Sequence, residues 1–292
     1  LILSILLGPH AAFLTIASVL VVQAFFFADG GLLALGCNIF NLGFFPAFIA
    51  YPLVYKKIAG GTLTPARISV ASMAAAIIAL QTGAFGVVME TVLSGVSALP
   101  FPAFALIMQP IHLAIGVVEG LVTASVISFL FSAKPEILRT AMEAGPANVH
   151  PIRAIVPAIL AVTLLTGGVA SQFASEKPDG LEWSISEVTR QKGLAGSKHG
   201  IHGSLALLQK KISFLPEYSF GNPGGAKPPG TPADQSAPHA QDPAEHAYEA
   251  NKLGASVSGV VGGALTLGLS LLIGLLLKCR NKAAENVVET DG

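Results

Sequence analysis

The sequence predicts an all-α polytopic membrane protein: a helical bundle of about six spans plus a partial first helix, with a mostly irregular outer segment. Three observations carry this reading. Of the 292 residues, 52% are hydrophobic and only 12% are charged, against about 25% charged in soluble domains. Mean hydropathy is +0.66. Apolar runs close to the roughly 20 residues that a helix needs to cross a bilayer recur along the chain. Formal net charge is zero, from 17 basic and 17 acidic side chains. No global field therefore attracts nucleic acid or anionic ligands.

Taken in order, Leu1–Leu7 is too short to cross, and Gly8-Pro9 breaks it. It reads as the tail of a helix that begins upstream. The expected spans are Ala11–Ala28, Leu33–Tyr55, Ile68–Leu93, Ala103–Ala133, Ile152–Ala170 and Ala255–Leu277. Lys56, Lys57 and Arg67 share one loop, Lys134, Arg139 and Arg153 another, and Lys278, Arg280 and Lys282 follow the last span. The turns Ala28–Gly31 and Ser94–Pro102 carry no Lys or Arg, so placing every basic loop in the cytoplasm gives an alternating topology. Ser171 to Gly254 then lies outside, with one or two short helices expected between Leu181 and Leu208. It ends in a Pro/Gly-rich tether, "GNPGGAKPPGTPADQSAPHAQDPAEH", whose composition cannot form a packed core. The division expected is a membrane bundle over 1–171, an extracytoplasmic segment over 172–254, and a final helix with a cytoplasmic tail over 255–292.

The chemistry concentrates where the bilayer should exclude it. In "QPIHLAIGVVEG", Gln109, His112, Gly116 and Glu119 fall on one helical stripe. Intramembrane ionisable groups are costly and mark functional-site candidates, here Glu90, His112 and Glu119. Asn38 and Asn41 form an i, i+3 pair, and Asp29 sits in the turn before them. Two readings are open. Imidazole, carboxylate and amide groups suit a cavity that receives a small divalent cation, and the same groups serve as interhelical hydrogen bonds in bundles. Glu119, about 10 Å along the axis from His112, reads as a hydrogen-bonding or coupling residue, since one ion cannot readily touch both. Glu90, near the outer end of its span, also suits a merely interfacial place.

Other signals are weaker. His199, His202, His239 and His246 lie in the outer segment, and His10 and His150 read as polar caps flanking spans. Cys37 and Cys279 have no metal-type spacing, so neither a disulfide nor a zinc site is expected. With no nucleophile elbow, P-loop or dinucleotide fingerprint, the chain is not expected to be an enzyme or to hydrolyse ATP itself.

The stretches "LLGPHAAFLTIASVLVVQAFFFADGGLLALGCNIFNLG" (Leu6–Gly43), "METVLSG" (Met89–Gly95) and "HLAIGVVEGLVTA" (His112–Ala124) resemble the substrate-binding membrane component of cobalt/nickel energy-coupling-factor (ECF) transporters, the CbiM/NikM family. "PDGLEWS" (Pro178–Ser184), "LPEYSF" (Leu215–Phe220) and the closing small-residue span resemble its small auxiliary subunit, here fused to the same chain. The resemblance implies Ni²⁺ or Co²⁺ as transported substrate, a coupling membrane subunit and cytoplasmic ATPases as partners, and residence in the cell (inner) membrane. It also implies nitrogen ligands from a Met-His amino terminus and a later histidine, both expected upstream of Leu1. Asp29, Asn38, Asn41, Glu90 and His112 are therefore expected as cavity residues or supports of the ligands, and Glu119 as structural or coupling. Two other functions compete: a self-sufficient secondary metal-ion or proton-coupled transporter with His112 and Glu119 as relay, and a membrane-anchored structural protein with an outer domain. The carrier's broken-helix, inverted-repeat signature is not visible.

Overall fold

A computed structural model describes residues 1–95, 99–142, 152–173, 179–189, 200–220 and 243–290. Among these residues every regular element is helical. The chain is an all-α polytopic membrane protein, and among the described residues five helices are long and apolar enough to cross a membrane. It divides into two units, one made of 1–20, 33–149 and 176–203, the other of 21–32, 150–175 and 204–292.

In the first unit, α1 (Ile2–Leu7) ends at Gly8, whose φ of +79° suits a residue without Cβ. Pro9 then opens α2 (Pro9–Phe26), confirming the break expected at Gly8-Pro9. The next span, α3 (Leu35–Ala59), is not uniform: its middle, Phe40–Tyr55, is π-helical and contains Pro46 and Pro52. Each proline lacks an N–H and its ring collides with the carbonyl four residues back. Widening the helix relieves that clash, and the register carries through to Lys56, whose N–H bonds the Tyr51 carbonyl.

The longest spans are α4 (Pro65–Ser94, 30 residues) and α5 (Phe101–Ala133, 33 residues). Pro65 occupies the first turn of α4 and Thr64 caps it, its hydroxyl accepting from the Arg67 N–H. At about 1.5 Å per residue both outrun the roughly 30 Å hydrocarbon layer, so they tilt or project beyond it. They pack closely because α5 turns two glycines, Gly116 and Gly120, toward Met73, Ile77 and Leu80 of α4. A Cβ on Gly116 would stand 3.1 Å from the Ile77 Cα, and one on Gly120 2.9 Å from the Met73 Cα. "GVVEG" is thus a GxxxG contact in which backbones approach each other. The amphipathic α6 (Pro135–Met142) tucks Leu138 under α1 beside Ile5, Tyr51, Tyr55 and Ile68. Helix α8 (Gly180–Thr189) belongs to the same unit.

The second unit contains α7 (Ile152–Gly168), α9 (Gly200–Ile212) from Ser204 onward, and α10 (Pro243–Thr290). The span expected at Ile152–Ala170 forms a helix of 17 residues, shorter than the other five, and a 3₁₀ turn, Ala170–Phe173, follows it. Helices α7 and α10 cross where Gly167 meets Gly259, so closely that a Cβ on Gly259 would collide with the Gly167 carbonyl. Where one or two short helices are expected between Leu181 and Leu208, the structure has α8 and α9, the latter running on to Ile212. His150, His199 and His239 and the tether over 221–242 lie outside the described residues, as does the His246 side chain. His10 stacks edge-on against Phe48 at 5.4 Å.

Candidate metal-binding site

The polar groups anticipated in the membrane fall at separate places. Asn41 and Glu90 come together. The first turns of α3 turn Asn41 inward, where it is 3% exposed, and its Nδ2 donates to Glu90 Oε2 on α4 at 2.7 Å. Space for the amide comes from Gly83 and Gly86: a Cβ at Gly83 would be 2.9 Å from the Asn41 carbonyl oxygen, and one at Gly86 would strike Asn41 Oδ1 itself. The amide oxygen Oδ1 is buried and, among the described residues, has no hydrogen-bond partner. Asn38, half-buried, stands three residues earlier on α3, and Cys37 lies within electrostatic and hydrogen-bonding reach of Glu90. Cys37 and Cys279 are both free and exposed.

His112, half-buried on α5, makes neither of these contacts. Its Nδ1 pairs with the Met108 carbonyl at 2.8 Å. A carbonyl can only accept, so Nδ1 carries a proton and donates it. The ring lies against Gly180, where a Cβ would come within 3.0 Å of His112 Cε1 and 3.1 Å of Ile115 Cδ1. This gives the "DGLE" part of the quoted motif a physical meaning. Asp179 Oδ1 accepts from the Glu182 N–H at 2.8 Å and so caps α8. Gly180 leaves room for the imidazole. Leu181 begins an apolar stripe, Leu181, Ile185 and Val188, that packs on Val88, Leu99, Phe104 and Met108.

Gln109 and Glu119 share the inward stripe of His112 without sharing its partners. The Gln109 carbonyl accepts from Gln81 Nε2 on α4 at 2.8 Å. Glu119 Oε1 lies 3.5 Å from the Leu1 nitrogen at the start of α1.

Asp29 belongs to the second unit, where "LPEYSF" clasps the "ADGG" turn. The Phe214 and Leu215 N–H groups reach the Phe26 carbonyl at 3.2 and 3.3 Å, and the Glu217 N–H reaches the Phe27 carbonyl at 2.8 Å. Tyr218 Oη donates to Asp29 Oδ2 at 2.5 Å, and Gln23 Nε2 donates to the same oxygen at 3.2 Å. Phe27 packs between Tyr218 and Phe214, with Leu215, Leu265 and Leu269 in the same apolar cluster. Burial, and after it the bond to Asp29, push the Tyr218 phenol well above its ordinary value, so the hydroxyl keeps the proton it donates. Tyr218→Phe is expected to cost about 1 kcal/mol, read as a lower thermal unfolding midpoint of the purified chain in detergent.

Sequence reasoning placed Gly116 on the polar stripe without its packing role, and passed over Gly120, although the GxxxG spacing was visible, and Tyr218, Gln23 and Gly180, whose partners are distant in the chain. Among the described residues no group of three or more His, Cys, Asp or Glu side chains gathers to hold a metal.

Two family models match. Residues 1–137 match CbiM, the cobalt uptake substrate-specific transmembrane region, and residues 153–279 match the PDGLE domain. The helix Ile152–Gly168 thus falls almost wholly within the second match. A fused NikMN of Archaeoglobus fulgidus is 31% identical over 181 residues, covering 60% of this chain and 56% of the relative. The fused nickel transport protein NikMN of Rhodobacter capsulatus is 27% identical over 239 residues, covering 74% and 67%. The cobalt transport protein CbiM of Sorangium cellulosum is 30% identical over 142 residues, covering 46% and 60%. The chain thus spans little more than half the length of the first of these relatives. No solved structure matches. The chain thus carries a CbiM region followed by a PDGLE domain, and in that order it is similar to the fused NikMN relatives.

Proposed function

We propose that this chain is the substrate-capture membrane subunit of an ATP-driven importer of Ni²⁺ or Co²⁺, without an ATPase of its own. It works with a coupling membrane subunit and cytoplasmic ATPases in the cell's inner membrane. The observation that carries the reading is the Asn41–Glu90 pair: a carboxylate held by an amide between two membrane spans, next to an amide oxygen without a donor. Charged groups at that depth are retained where they serve an ion path, and the names of the relatives point to nickel and cobalt. Asn38, three residues before Asn41 on α3, supports the site, and His112, set against Gly180, serves the same bundle from α5. Asp29 is assigned to holding the outer segment, and Glu119 to the packing of α5 beside α1. The working division remains a metal-binding bundle over 1–171, an extracytoplasmic segment over 172–254 and a closing helix over 255–292.

The test is accumulation of radioactive nickel or cobalt by cells that lack their own importer, with this chain expressed beside its coupling subunit and ATPases. Glu90→Gln and Asn41→Ala are expected to lower accumulation at least about tenfold, equivalent to roughly 1.4 kcal/mol, at unchanged membrane levels of the chain. Accumulation that persists when the ATPases are inactivated would overturn the ATP-driven reading in favour of a self-sufficient carrier.

A further inference from the structure

The Asn41–Glu90 pair leaves one neighbour unexplained. Cys37 precedes Asn41 by four residues on α3, hence on the same face. Its thiol is exposed, and it lies close enough to Glu90 to interact with the carboxylate. Asn41, by contrast, is buried, and its amide oxygen finds only the backbone of Gly86. A buried carbonyl-type oxygen without a donor calls for explanation, and a cation supplies one.

We propose that Cys37 Sγ, a Glu90 carboxylate oxygen and Asn41 Oδ1 together bind a single thiophilic divalent cation, Ni²⁺ or Co²⁺, as a way-station within the bundle. This deepens, and rests on, the transport reading above. In the empty site the amide turns Nδ2 toward the carboxylate, because an N–H donor suits a negative oxygen. When a cation arrives, the terminal amide rotates by half a turn and presents Oδ1 instead. The Cys37 thiol loses its proton to water and the sulfur becomes a ligand, with water completing the coordination shell. Oxygen ligands alone would admit Mg²⁺ and Ca²⁺, whereas one thiolate shifts preference toward the later transition metals. Gly86 is required at the base of the site, since any side chain there would occupy the position of the Asn41 amide.

The experiment adds Co²⁺ to the purified full chain in detergent and reads the near-ultraviolet thiolate-to-cobalt charge-transfer band together with the alkylation rate of Cys37. The band is expected to appear, to vanish in Cys37→Ser, to persist in Cys279→Ser, and to be insensitive to excess Mg²⁺. Co²⁺ is expected to slow maleimide labelling of Cys37 at least tenfold, and Glu90→Gln to raise the Co²⁺ concentration needed at least tenfold. A band that survives Cys37→Ser, or a labelling rate that Co²⁺ leaves unchanged, overturns the site. Metal accumulation in cells separates the two readings. Accumulation with Cys37 unprotected discards the way-station alone, whereas a protected Cys37 in a chain that supports no accumulation discards transport alone.

Discussion

Gly120→Val is expected to destabilise the bundle by about 2–3 kcal/mol, the upper range for overpacking a tight contact, and to lower the thermal midpoint in detergent by about 5 °C or more. A Cβ at this position would stand 2.7 Å from Met73 Sδ, which can swing away, but also 2.9 Å from the Met73 Cα, which cannot move unless α4 moves. The substitution therefore forces two long helices apart along a seam where glycines of α5 meet Met73, Ile77 and Leu80 of α4. Alanine has the same steric problem but recovers about 1 kcal/mol of helix propensity, so Gly120→Ala is the milder change. Gly263→Val is the control, because nothing lies within 4 Å of the Cβ it would add. If both valine variants melt alike, the glycine seam is not what holds α4 to α5.

Gly180→Val is expected to loosen α8 by about 1–3 kcal/mol, read as faster amide hydrogen exchange over Gly180–Thr189 while α4 and α5 keep their protection. The colliding atoms, His112 Cε1 and Ile115 Cδ1, are both side-chain atoms. The damage should therefore be reversible from the other partner. Combining Gly180→Val with His112→Ala is expected to recover about 1 kcal/mol or more of coupling between the two sites. A double variant that exchanges as fast as the sum of the singles would show that the imidazole does not set the fit of α8.

The helical class, the apolar spans and the break at Gly8-Pro9 were legible because each depends on residues close in sequence. Twenty apolar positions in a row, or a glycine followed by a proline, constrain local structure wherever the chain goes. Helix between Leu181 and Leu208 was legible for the same reason. The π-helical middle of α3 was not anticipated, although Pro46 and Pro52 were in plain view, because a proline can kink, end or widen a helix. Neighbouring helices decide among these.

The polar residues show the limit most clearly. Composition and depth singled out Asp29, Asn41, Glu90 and His112, and their rarity in a membrane was reason enough to do so. Which of them meet is a matter of how helices face each other, and periodicity along one helix carries no information about its rotation against the next. Tertiary structure paired Asn41 with Glu90, set His112 against Gly180 and gave Asp29 to Tyr218, a partner 189 residues away. The sequence alone determined that this chain lives in a bilayer and which side chains are expensive there. Only packing decided which of those side chains share that expense, because a hydrogen bond is satisfied within about 3 Å and nothing in a linear pattern specifies distance between separate helices.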